Sequence, residues 1–261
     1  MRFNPCQKNL FIEWLITNGL LLLVYFLVDT YFHKKEPPSA IIKDETQIRP
    51  IKIEGKLNFI WLGGVVLAVA FLNSQYIHFI HNNEYYKFIR EAVILLMAYL
   101  SILFTPHITR VSNNFTWEPI KEVAYLFFGI FITMVPCLLY LEMNAKNLGV
   151  ESANQFYYYT GLLSSFLDNT PTAVTFHSLA LGLGETTGSM VAGIPEALLR
   201  AICLGAVFFG SMTYIGNGPN FMVKAVAEEN NIKMPHFFAY MYQFSLIVLL
   251  PIFILVQLLL L

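Results

Sequence analysis

Charge and cysteine are both scarce in this 261-residue chain, and each scarcity narrows what the protein can be. Only 13% of residues are charged and the net charge is -1, so there is no basic face for nucleic acid and no acidic tail for a basic partner. The three cysteines, Cys6, Cys137 and Cys203, form neither a CxxC pair nor a metal-ligand spacing, and they read as small hydrophobes. HExxH, GxSxG and clustered His/Asp/Glu motifs are missing, which argues against a membrane-embedded enzyme. No cleavage site follows the first apolar run, so that run is expected to stay as a span rather than leave as a signal peptide.

What remains is apolar. Hydrophobic residues make up 56% of the chain, aromatics 15%, and the mean hydropathy is +0.58, a composition that only an integral membrane protein carries. Apolar runs predict spans at residues 11–32, 57–80, 92–104, 123–141 and 237–261, each judged against the roughly 20 residues that cross a bilayer. Loop 33–56 carries six Lys/Arg, Lys34, Lys35, Lys43, Arg49, Lys52 and Lys56, and is therefore assigned to the cytoplasm. Pro136 and Pro251 predict kinks. Glu13 and Asp29 are placed near the ends of the first span, within reach of water. Arg200 is expected to snorkel toward headgroups, although Asp168 and Glu196 are alternative partners, and Tyr157 to Tyr159 read as an interfacial aromatic belt.

Two polar interruptions stand out. SSFLDNTPT, Ser164 to Thr172, sets a carboxylate, a carboxamide, hydroxyls and a proline inside an apolar run. The simplest arrangement is a helical hairpin turning at Asp168 to Pro171, its tip facing a cavity at membrane depth. GSMTYIGNGPN, Gly210 to Asn220, predicts a helix broken at Tyr214 to Pro219 and resumed near Asn220. A helix broken within a bilayer frees backbone carbonyls that need a ligand, water or protein partners. Asn169, Thr170, Thr213, Asn217 and Asn220 add the neutral oxygens that hard cations prefer, and Asp168 adds a charge that is expected to be paired, protonated or ion-bound. Gly210, Gly216 and Gly218 are read as sites of positive φ or of close approach to a ligand, with Pro171 and Pro219 as helix stops. The resumed helix would aim its positive end at the same point, where an anion is favoured. Either break alone is equally a packing kink. His177 reads as a packing residue more readily than as a proton relay.

SSFLDNTPT, GSMTYIGNGPNFMVKAVAEE and MPHFFAYM together resemble the C-terminal half of the ion transporter superfamily. That group holds sodium/proton antiporters, arsenite transporters and citrate transporters, and the similarity is greatest to its bacterial citrate transport or sodium:proton antiporter branch. The resemblance runs from about Leu10 to the C-terminus. It implies an all-α polytopic protein with one re-entrant hairpin and one broken span. By position it also implies an ion or substrate site at Ser165, Asp168, Asn169, Thr170, Thr213, Gly216, Asn217 and Pro219, to which the chemistry of the break adds Asn220, with Asp168, Asn169 and Asn217 as possible sodium ligands. Sodium is the implied coupling ion, with no other cofactor. Residues 1–154 would then be scaffold spans, 155–236 the moving transport segment and 237–261 a final span.

The family pattern has two hairpins and two broken helices, whereas this chain carries one of each. A separate N-terminal half, and a homodimer, are therefore implied partners, alongside membrane lipid and a small ion or carboxylate substrate; no nucleic acid is implied. The function expected first is cation-coupled secondary transport of sodium/proton antiporter type in the bacterial cytoplasmic membrane. Sodium-coupled citrate or carboxylate transport is the alternative, and a non-transporting membrane subunit is the third.

Overall fold

The computed structural model describes residues 5–37, 53, 55–72, 88–112, 116–185, 187–229 and 232–260. In chain order its elements are α1 (Pro5–His33), α2 (Asn58–Phe71), α3 (Ile89–Phe104), α4 (His107–Ser112), α5 (Glu118–Asn144), α6 (Ala153–Ser164), α7 (Asn169–Leu183), β1 (Met190–Val191), β2 (Ile194–Pro195), α8 (Glu196–Phe209) and α9 (Gly218–Glu229). A final span follows as a short α-turn, Phe237–Tyr240, a π-helical stretch, Met241–Leu249, and α10 (Leu250–Leu260). Among the described residues, three helical stretches are long and apolar enough to cross a membrane: Leu10–His33, Phe127–Asn147 and Phe237–Leu259. These coincide with the first, fourth and last expected spans. The second expected span runs past Leu72 into residues outside the described set.

The chain groups into two units, Met1–Pro37 with Ala124–Leu261, and Pro38–Val123. In the smaller unit α2 lies against α3. Asn58 accepts hydrogen bonds from Ser101 (2.9 Å) and Thr105 (2.8 Å), and Gly64 lets Met97 lie close, since a Cβ there would come within 2.6 Å of its sulfur.

The larger unit holds both polar interruptions. Its core is aromatic, and glycine brings the helices into it. A Cβ on Gly161 of α6 would sit 2.5 Å from the Phe209 ring, and one on Gly205 of α8 would sit 2.5 Å from the Tyr157 carbonyl oxygen. Helices without a hydrophobic driving force between them pack through such small residues. Tyr157 is fully buried, lies edge-on to Phe209 at 5.4 Å, and donates its hydroxyl to the Phe253 carbonyl at 3.0 Å. Tyr158 donates to Gln257, which in turn donates to Asn154 at 2.8 Å. Of the three expected belt tyrosines, only Tyr159 is exposed. The correction follows from hydrogen bonding, because a buried phenol is tolerated where a carbonyl of the last span accepts from it.

Two further expectations change. Glu13 is 1% exposed rather than bathed in water, and its carboxylate is bound by Arg200, which therefore pairs with α1 instead of snorkelling. A charge inside an apolar bundle needs such a partner. Pro136 lies in the interior of helix α5. Ahead of Pro251 the last span instead widens to i→i+5 bonding over Met241–Leu249, which accommodates a ring that would clash with the carbonyl four residues back.

Candidate functional site at the meeting of a hairpin tip and a broken helix

The hairpin forms because each of its helices has a local start and stop. Ser152 and Gln155 make a capping box at the start of α6. The chain leaves α6 at Ser165 and turns through Phe166 and Leu167. Asp168 then caps α7 by accepting from the Thr170 amide at 3.2 Å. Pro171 falls in the first turn of α7, where its missing amide is no loss, so the turn lies one to three residues earlier than the expected Asp168 to Pro171. α7 ends at Gly184, which has φ +67° and supplies the left-handed cap. Phe156 meets Phe176 edge-on at 6.2 Å and Ser164 meets Asn169, pairings that make α6 and α7 antiparallel.

At 1.5 Å per residue, the 12 residues of α6 and 15 of α7 reach about 18 and 22 Å, short of a roughly 30 Å hydrocarbon core. His177, partway up α7, contacts the Ala192 carbonyl at 3.0 Å in the turn between β1 and β2. That contact is the packing role.

The second interruption begins as α8 tightens into a 3-10 turn at Gly210–Met212, opens over residues 213–217, and resumes as α9 at Gly218 with Pro219 in its first turn. None of Gly210, Gly216 and Gly218 has a positive φ. Gly210 and Gly216 are required for closeness instead. A Cβ on Gly216 would lie 2.7 Å from the carbonyl oxygens of both Ser164 and Ser165 and 2.8 Å from that of Gly210, while one on Gly210 would strike the Asn169 amide oxygen. Gly218 faces open space.

The hairpin tip and the break are thus one cluster. Ser164, fully buried, donates to the Ala206 carbonyl (2.6 Å) and lies 2.9 Å from the Asn169 amide oxygen. Ser165 reaches the carbonyls of Gly161 (3.0 Å) and Phe209 (3.2 Å). Thr213, 1% exposed, donates to the Ser165 carbonyl and accepts from the Gly216 amide at 3.0 Å. Asn220 reaches back to the carbonyls of Gly210 (3.3 Å) and Thr213 (3.4 Å). Of the expected site residues, Ser165, Asn169, Thr213, Gly216 and Asn220 come together. Asp168 and Asn217 are half-buried at the margin, and Thr170 and Pro219 are exposed.

Four participants went unread in the sequence: Ser164, Ala206, Tyr240 and Ser245. The last two belong to the final span. Tyr240 donates to the Ser211 carbonyl (3.1 Å), and fully buried Ser245 donates to that of Met212 (2.7 Å). In a continuous helix those carbonyls would accept amides four residues on, so their capture by side chains fixes the break in place. Ser245→Ala is expected to strand a buried carbonyl at about 1–3 kcal/mol, read as a lower midpoint of thermal unfolding, and Ser245→Thr to restore it.

Chemically, the cluster is a set of neutral oxygens at the starts of two helices, α7 and α9. Such oxygens suit hard cations, and helix starts suit anions. No curated protein and no solved structure is matched by the chain. Residues 1–261 match the model of a family described as "Putative citrate transport", and this integral membrane protein with its paired helix breaks belongs to that family.

Proposed function

We propose that the chain carries the ion-binding hairpin and broken helix of a sodium-coupled transporter of citrate or a related carboxylate. The observation that supports it is the single hydrogen-bonded cluster joining Ser164, Ser165 and Asn169 of the hairpin to Gly210, Thr213, Gly216 and Asn220 of the break. Carbonyl and hydroxyl oxygens there offer ligands to sodium without a full opposing charge, and the positive ends of α7 and α9 serve the anion's carboxylates. The hairpin would be re-entrant, with a separate chain furnishing the opposite wall.

The direct experiment is uptake of labelled citrate into proteoliposomes that hold this chain together with the chain furnishing the opposite wall. Sodium outside is expected to raise the rate roughly tenfold over potassium, in line with coupling of about 1–3 kcal/mol. Equal uptake in the two salts would remove sodium coupling.

Sodium/proton antiport is the second reading, favoured by Asp168, the carboxylate at the hairpin tip. Asp168→Asn is a clean probe because asparagine caps a helix about as well as aspartate. Under antiport the variant loses the sodium-dependent pH change, and under citrate transport it keeps citrate uptake.

A further inference from the structure

Beside the break, on the flank formed by α9 and the start of the last span, lies a crevice of 240 Å³ that the cluster above does not use. Tyr214, Lys224, Glu228, Met234 and His236 line it. A second space of 580 Å³ shares Glu228, Met234 and His236 and adds Lys233. We infer that this crevice is an entry site for a small polycarboxylate, held there before it reaches the break; the inference rests on the citrate reading proposed above.

Charge is the first reason. Lys224 and Lys233 face the space with His236, and among the described lining residues Glu228 brings the one carboxylate. The second reason is an asymmetry within the Lys224 and Glu228 pair. Their contact is 3.0 Å, yet the Lys224 side chain is 23% exposed and that of Glu228 47%. The ammonium is held in the crevice, its nitrogen 5.4 Å from the centre of the Tyr214 ring, while its counter-ion sits on the open side. A carboxylate from solution therefore replaces Glu228 without exposing any new buried charge.

Tyr214 supplies the third reason. It is 6% exposed, packs on Tyr240 with ring centroids 4.4 Å apart, and its buried hydroxyl has no hydrogen-bond partner among the described residues. Buried hydroxyls are ordinarily bonded, so this one is a donor lacking an acceptor. An anion reaching the floor of the crevice provides it. Tyr214 directly follows Thr213, which places the entry site one residue from the cluster.

Citrate binding to the purified full-length chain, measured by calorimetry at fixed ionic strength, tests the site. Lys224→Gln is expected to weaken binding about 10- to 100-fold, as for loss of a hydrogen bond to a charged group, and Lys224→Arg to keep most of it. Tyr214→Phe removes one oxygen atom and is expected to weaken binding several-fold. Glu228→Gln is expected to tighten it, because the competing carboxylate is gone; a merely structural ion pair would instead lose affinity or stability when cut. Helical content and unfolding midpoint of each variant show that it folds. If the parent binds and transports citrate while all four variants match it, the entry site is wrong and the citrate reading stands. If Glu228→Gln weakens binding, the entry site is likewise wrong. If the parent neither binds nor transports citrate, both fall.

Discussion

Alanine at position 216 is expected to cut sodium-dependent citrate uptake by about 5- to 150-fold while leaving the protein in the membrane. The new methyl group would meet the carbonyl oxygens of Ser164, Ser165 and Gly210 at 2.7 to 2.8 Å, and all three are backbone. No flexible side chain can turn aside, so the hairpin tip has to part from the break. Overpacking of this kind typically costs about 1–3 kcal/mol, the range that sets the fold-change. Gly218→Ala is the built-in comparison. Its added methyl meets nothing within 4 Å, its φ is not positive, and it lies at the start of α9. Uptake is expected to be unchanged there, so equal losses at 216 and 218 would mean that closeness at Gly216 is not what the site needs.

The second large effect concerns stability. Arg200→Met leaves the Glu13 carboxylate, 1% exposed, buried without the guanidinium that binds it. Breaking a buried pair by removing one partner costs about 3–5 kcal/mol. For a chain of this size that lowers the unfolding midpoint by roughly 6–20 °C. Replacing both charges, Glu13→Met with Arg200→Met, is expected to recover most of the loss, because desolvated pairs often do no better than apolar residues of similar volume. A thermal unfolding cycle over the four proteins measures the coupling directly. If Arg200→Met melts with the parent, the pair does not hold α1 to α8.

The two interruptions were legible because their chemistry is out of place: Asp168, Asn169 and Pro171 in one apolar run, and Thr213, Gly216 and Asn220 in another, leave few stable alternatives to helix breaks. That they meet was suggested by two polar breaks in one apolar chain and implied by the family resemblance. Local pattern located the breaks to within a few residues but misjudged their geometry. Pro171 marks the inside of a helix start rather than the turn, and Gly216 serves contact rather than φ. Partners distant in sequence left no trace. Glu13 and Arg200 lie 187 residues apart, and each alone looked like a charge near a membrane surface. Ser245 went unread, because what it binds is a carbonyl that is free only once the other helix is broken.

Dependence on the last span has a consequence for the order of assembly. The Met212 carbonyl waits for Ser245, 33 residues later in the chain, and the Ser211 carbonyl for Tyr240, 29 residues later. At roughly 5–20 residues per second of synthesis, Ser245 is added about 2–7 s after Met212. During that interval the break is an unfinished structure whose backbone has to be sheltered by water or by the insertion machinery. A nascent chain arrested before residue 237 is therefore expected to be a substrate for membrane proteases, and release of the last span to be the step that commits the protein to its fold.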